Sequence, residues 1–214
     1  MPPVKILTAL RFDGVTRLSA SGLSLLLLFV LLTLSLGQVY AAAEKSLSPS
    51  DIERARNYFT DTEMITHEGN KVRFYSDMLD GRIVVINVIY TNCKGACPLV
   101  TQMLSRVSRD LGDLFGNQVH FVSVTNDPER DTPAALAEFA SNQNVNLDGW
   151  TFLTGPKDKV NAVIKKIGLY TPQFEQHKSM ILLGNTKTGR WQKVAPNVPY
   201  QSITVKLKEL VAEG

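Results

Sequence analysis

The sequence predicts an α/β fold, a central mixed sheet flanked by helices, and three observations predict it. The run Arg82–Tyr90, RIVVINVIY, is apolar at nearly every position, so a strand there is covered on both faces. Strand-like and helix-like patterns alternate from that run to the C-terminus. The 171 residues from Glu44 to Gly214 suffice for one domain whose core needs no disulfide staples.

Taken in order, the chain opens with Lys5, Arg11 and Arg17, then the apolar stretch Leu23–Leu36, then the small residues of GQVYAAAEKS. That order is the anatomy of an export signal. The stretch Leu18–Ala43 carries no charge, so an uncleaved membrane anchor is the alternative. In both cases the basic flank stays on the cytoplasmic side and the chain from about Glu44 is translocated, to the periplasm or the outer face of the inner membrane. Residues 1–43 are therefore read as signal peptide or anchor, 44–60 as a linker or N-terminal extension, and 61–214 as the folded domain. Ala41–Asp51 is the one linker-like stretch.

Three of the basic residues and Asp13 belong to residues 1–43, which leaves 20 Lys and Arg against 19 Asp and Glu and lowers the formal charge from +3 to +1. No basic patch remains that suits nucleic acid.

Asn70–Ser76 and Arg82–Tyr90 read as strands. Pro98–Phe115 carries Leu99, Val100, Met103, Leu104, Val107, Leu111 and Leu114 at helical spacing. Gln118–Asp127 is the next strand. Asp131–Gln143 is a helix, with Asp131 or Thr132 as its cap and Pro133 at its first turn. Trp150–Gly155 is a short strand and Pro156–Leu169 a helix. Lys178–Val194 makes two strands about a turn at Asn185–Gly189, and Pro199–Glu213 closes the chain as a helix.

The chain has two cysteines, Cys93 and Cys97, and both fall at the corner where the apolar strand meets the next helix. Ligand sites of open α/β sheets lie at such corners. Positions four apart share a helical face, which puts the two sulfurs within reach of a disulfide or a shared metal. A helix N-terminus favours thiolate over thiol, and Pro98 costs nothing there because the first turn has no partner for its N–H. A plain structural disulfide is the bland reading for an exported protein. So short a loop stabilises little, however, which favours a reactive or metal-binding pair. Two soft sulfurs suit Cu(I), and an added imidazole extends the set to Cu(II) or zinc. Of three histidines, His67 lies beside a turn and is expected in solvent, His120 lies within a strand, and His177 ends a loop ahead of an apolar strand.

IYTNCKGACP (89–98), SVTNDPERDTPAALAEFA (123–140), WTFLTG and HKSMILLGNTKTG (177–189) occur in this order, and the chain resembles the SCO/SenC family from about Asn70 to Gly189. The resemblance implies a thioredoxin-like fold and an extracytoplasmic copper protein that serves assembly of the dinuclear copper centre of cytochrome c oxidase. It places that family's two thiolate ligands on Cys93 and Cys97 and its imidazole ligand on His177. The expected partner is the copper-bearing oxidase subunit or another copper or thiol protein, with the membrane reached through the N-terminal segment. Lys94, Gly95 and Ala96 depart from the family's usual proline and acidic residue between the cysteines, and Lys94 works against a second cation. Asn126 is an insertion where the strand ends. Asp127 is left open as a residue orienting the metal loop, and Asp131 is read as a turn and helix cap. The function expected is a copper metallochaperone holding Cu(I) or Cu(II). The alternative is a thiol-disulfide oxidoreductase using Cys93 and Cys97 as a redox-active pair, although thioredoxin-type motifs separate their cysteines by two residues rather than three. A thiol peroxidase is a more distant third.

Overall fold

The computed structural model describes residues 48–145, 147–171 and 179–213. By its internal contacts the chain divides after Ala43, and the unit Glu44–Gly214 carries both hydrophobic cores found among the described residues. The expected signal or anchor lies outside the described residues. Among those residues no helix is long and apolar enough to cross a membrane.

The elements run α1 (Pro49–Phe59), β1 (Glu63–Thr66), β2 (Lys71–Arg73), α2 (Phe74–Met78), β3 (Ile83–Ile89), α3 (Ala96–Leu111), β4 (Val119–Thr125), α4 (Pro133–Asn142), β5 (Trp150–Thr154), α5 (Lys157–Lys166), β6 (Ile181–Asn185), β7 (Arg190–Val194) and α6 (Tyr200–Ala212). The strands form one sheet in the order β2-β1-β5-β4-β3-β6-β7. The β3–β4 and β4–β5 pairs are parallel and the outer pairs antiparallel, so the sheet is mixed, as the sequence predicts. All seven residues of β3 are buried. Val85 and Ile89 join one core with α3, α4 and α6, while Val84, Ile86 and Val88 join the other with α1, α2 and α5. That alternation between two covered faces is why the strand reads as a continuous apolar run.

Three local readings are corrected. Phe74–Ser76 does not extend the strand: Asp77 accepts the Arg73 N–H at 2.6 Å, and Asp61 accepts the Ser76 N–H and hydroxyl at 2.8 and 2.7 Å. These carboxylates start a helix, and Phe74 and Tyr75 turn into the core. Pro49–Phe59, within the linker-like stretch and the N-terminal extension, is helical. Ser48 and Asp51 form a capping box there, and Phe59 is buried. His67 is buried rather than solvated, because the turn after β1 folds back on β5. Its Nδ1 accepts the Phe152 N–H at 3.3 Å and its ring meets the Phe152 ring edge-on at 6.1 Å.

Candidate metal and thiol site

After Ile89 the chain leaves β3 through Tyr90, Thr91 and Asn92, and the Cys93 N–H donates back to the Tyr90 carbonyl at 3.2 Å. Helix α3 then begins at Ala96 with Gly95 as its cap residue and no side-chain oxygen to take the first N–H groups. Sulfur fills that role: the Cys97 N–H points at Cys93 Sγ, 3.4 Å away. The same backbone turn that satisfies the helix end therefore presents unpaired donors to one thiol. The sequence carries no Ser, Thr, Asp or Asn at the cap, which is the local reason that a cysteine serves there.

Neither thiol is in a disulfide; the two touch one another and are unequal. Burial alone raises the Cys93 thiol, but the Cys97 N–H, the Cys97 thiol, the Gly95 N–H and the Tyr90 phenol all stabilise its thiolate, and the outcome is a lowered pKa. Burial and the neighbouring Cys93 push Cys97 up to about 12, against the help of the Tyr90 N–H and with Asp131 adding its own repulsion. Cys97 is 2% exposed and Cys93 9%, so the more acidic sulfur is also the more accessible. Cys93 opens on a groove of about 430 Å³ between the start of α3 and one side of α4, with Thr91, Pro98 and Phe139 among its walls. Lys94, Gly95 and Ala96 lie exposed between the two cysteines.

Asp131 is fully buried and is not the cap of α4. Thr132 is: its hydroxyl accepts the Ala135 N–H, and Pro133 occupies the first turn. The Asp131 carboxylate instead accepts the Thr91 N–H at 3.1 Å, the Thr91 hydroxyl at 2.6 Å and the Thr125 hydroxyl. It thereby ties the segment that leads into Cys93 to the end of β4. Burial raises its pKa although the threonines pull the other way. Asp127 is buried and pairs with Arg130 at 2.9 Å, while its N–H is held by Thr125. Tyr90 and the two threonines were not singled out from the sequence.

His177, the third expected ligand, lies outside the described residues. Asn87 pairs with Ile181 in the antiparallel β3–β6 ladder, so Ser179 and Met180 approach along the end of β3 from which the cysteine corner departs. Among the described residues no three His, Cys, Asp or Glu side chains form a metal-holding group, and the cysteine pair supplies two soft donors. His67 is engaged elsewhere, its Nδ1 accepting the Phe152 N–H, and His120 pairs with Val84 near the start of β3, away from the end that leads to the cysteines.

The SCO1/SenC family model matches residues 51–212. The chain belongs to that family. The SCO1 protein homologue of Bacillus subtilis is 34% identical over 79 residues, which are 37% of this chain and 40% of the relative. The protein sco1 of Schizosaccharomyces pombe is 28% identical over 50% of this chain and 39% of its own. The chain thus spans about two fifths of the length of these curated relatives. Among solved structures, BsSco, described as a member of the Sco family of cytochrome c oxidase assembly proteins with a disulfide switch, matches with a TM-score of 0.60 and 25% identity over 71% of this chain and 92% of that one. Yeast Sco1 with copper bound matches in fold with a TM-score of 0.61 at 24% identity over 72% of this chain and 91% of that one.

Proposed function

We propose that this SCO/SenC protein binds copper as cargo through Cys93 and Cys97, with His177 as a third ligand, and serves the dinuclear copper site of cytochrome c oxidase. The observation that carries the reading is the contact of two thiols at the first turn of α3, one of them held as an acceptor by backbone N–H groups. Soft thiolates select Cu(I), and an imidazole completes a set that Cu(II) accepts. The copper-bound yeast relative and the oxidase-assembly description of BsSco support the same class of role. The N-terminal basic-apolar order supports an extracytoplasmic domain, periplasmic or at the outer face of the inner membrane, whose partner is the copper-bearing oxidase subunit or another copper or thiol protein.

The residues divide the work. Cys93 takes the metal first, since it is the accessible and more acidic sulfur. Cys97 gives up its proton only as the metal arrives, because burial disfavours its free thiolate. Asp131, through Thr91, holds the segment before Cys93 in place. The test is an anaerobic copper titration of the reduced unit from Glu44, alongside Cys93→Ser and His177→Ala. One tightly held copper that disappears in Cys93→Ser, with the Cu(II) form chiefly weakened in His177→Ala, supports the reading. Equal retention by wild type and Cys93→Ser ends it.

The asymmetry of the thiols also favours a second reading, thiol-disulfide exchange. Cys93 thiolate attacks a sulfur of a target disulfide and expels one target thiolate. Cys97 thiolate then displaces the other, leaving a Cys93–Cys97 disulfide and a target reduced by two electrons. Reduction of a disulfide-bonded oxidase peptide by the dithiol, lost in Cys97→Ser with a trapped mixed disulfide, is the outcome this reading expects.

A further inference from the structure

A second recess lies far along the sequence from the cysteines, a groove of about 580 Å³ between α1, the end of α5 and the edge strand β7. Its floor is apolar: Phe59, Ile167 and Leu182 are buried, and the Trp191 ring packs on Phe59 at 4.6 Å. Tyr58 stands at its rim, 60% exposed. The rim is basic. Lys166 lies over the Tyr58 ring at 5.8 Å, and Lys193 Nζ rests on the Gly168 carbonyl at 3.0 Å. No carboxylate pairs with either lysine among the described residues. Arg54, also on the rim, is neutralised by Asp51. An apolar floor, an exposed tyrosine and two uncompensated cations at one edge fit a ligand that is anionic at one end and hydrocarbon at the other. Tyrosine and lysine take this arrangement at a membrane surface, ring in the headgroup layer and ammonium on the phosphate. The connectivity points the same way, because eleven residues, 37–47, separate the apolar stretch ending at Leu36 from Ser48, the cap of α1.

We infer that the groove between α1, α5 and β7 binds an acidic phospholipid, with Lys166 and Lys193 on the headgroup phosphate and Tyr58, Phe59 and Trp191 against the upper part of an acyl chain. The inference does not use the cysteines and stands or falls apart from the copper reading. It gives the domain a preferred face toward an anionic membrane, the face that carries α1.

The test places the full chain in phosphatidylcholine nanodiscs that contain a minor fraction of phosphatidylglycerol, with bromine on the acyl chains of one lipid or the other, and reads tryptophan emission. Trp150 is fully buried, so the quenchable signal is Trp191. Two juxtamembrane lysines enrich an acidic lipid on the order of tenfold, so brominated phosphatidylglycerol is expected to quench far more than brominated phosphatidylcholine at the same mole fraction. Lys166→Gln with Lys193→Gln is expected to abolish the difference while leaving the melting temperature unchanged, and Tyr58→Ser to reduce quenching by both lipids. Equal quenching by the two lipids, an unquenched Trp191, or a preference that survives in the double lysine variant overturns the inference. An unquenched Trp191 would assign the groove to another occupant, and a surviving preference would place headgroup recognition on cations other than Lys166 and Lys193.

Discussion

Asp131 is the residue whose removal tests most of this account. Its carboxylate is fully buried and accepts from the Thr91 N–H, the Thr91 hydroxyl and the Thr125 hydroxyl. Asp131→Ala orphans a buried backbone N–H at about 1–3 kcal/mol, and the two hydroxyls, which can rotate to other acceptors, add about 1 kcal/mol each. Removing a charge whose burial is unfavourable, as the raised pKa of Asp131 indicates, offsets part of this. The net is a loss of about 2–4 kcal/mol, which in a domain of this size lowers the melting temperature by roughly 5–15 °C. Asp131→Asn keeps an acceptor and the shape, so about 1 kcal/mol is expected. The site supplies a second readout, because Asp131 raises the Cys97 thiol. In Asp131→Asn, alkylation of Cys97 is expected to rise at lower pH than in the wild type, where burial, Cys93 and Asp131 push the thiol up. Calorimetry together with peptide-resolved alkylation measures both. An Asp131→Ala protein that melts with the wild type would refute the tie between Thr91 and β4. A Cys97 profile that moves upward in Asp131→Asn would refute the electrostatic assignment.

In the reduced wild type, iodoacetamide is expected to label Cys93 well before Cys97 at every pH from neutral to mildly alkaline, since Cys93 is lowered and more open while Cys97 is raised and sealed; mass mapping of the tryptic peptides decides it. Tyr90→Phe removes the phenol that stabilises the Cys93 thiolate, so its labelling profile is expected to move to higher pH with little change in stability. His67 is held neutral, its folded pKa depressed by burial below 6.5. Its contribution to stability is therefore present above that value and lost as pH falls through the folded pKa, and guanidinium midpoints at pH 7.5 and 5 are expected to differ less in His67→Gln than in the wild type. Gly184→Ala sets a Cβ 2.2 Å from the Trp191 ring, so a loss of about 1–3 kcal/mol with altered tryptophan emission is expected, and an unchanged spectrum would count against the packing of Trp191 on β6.

The strand-helix alternation and the placing of Cys93 and Cys97 at one corner were legible because both are local: periodicity reports which faces of an element are covered, and spacing four apart on a helix start reports proximity. The helix at Phe74–Met78 was not legible, since the carboxylate of Asp61 that helps start it arrives from an earlier turn. The burial of His67 was missed for a related reason, because it depends on the pairing of β1 with β5, nearly ninety residues away in the chain.

The sequence by itself determined a two-faced core sheet and a pair of thiols at a helix start, because each follows from residue type and short-range spacing. Only the tertiary structure decided which thiol is the less buried and the more acidic, that Asp131 anchors the loop instead of capping a helix, and that Tyr58, Phe59, Lys166, Trp191 and Lys193 meet in one groove. The acidity of a buried thiol and the partners of a buried carboxylate depend on which strand ends lie side by side, and that arrangement joins residues from β3, β4 and the turns after them through contacts that sequence periodicity does not encode.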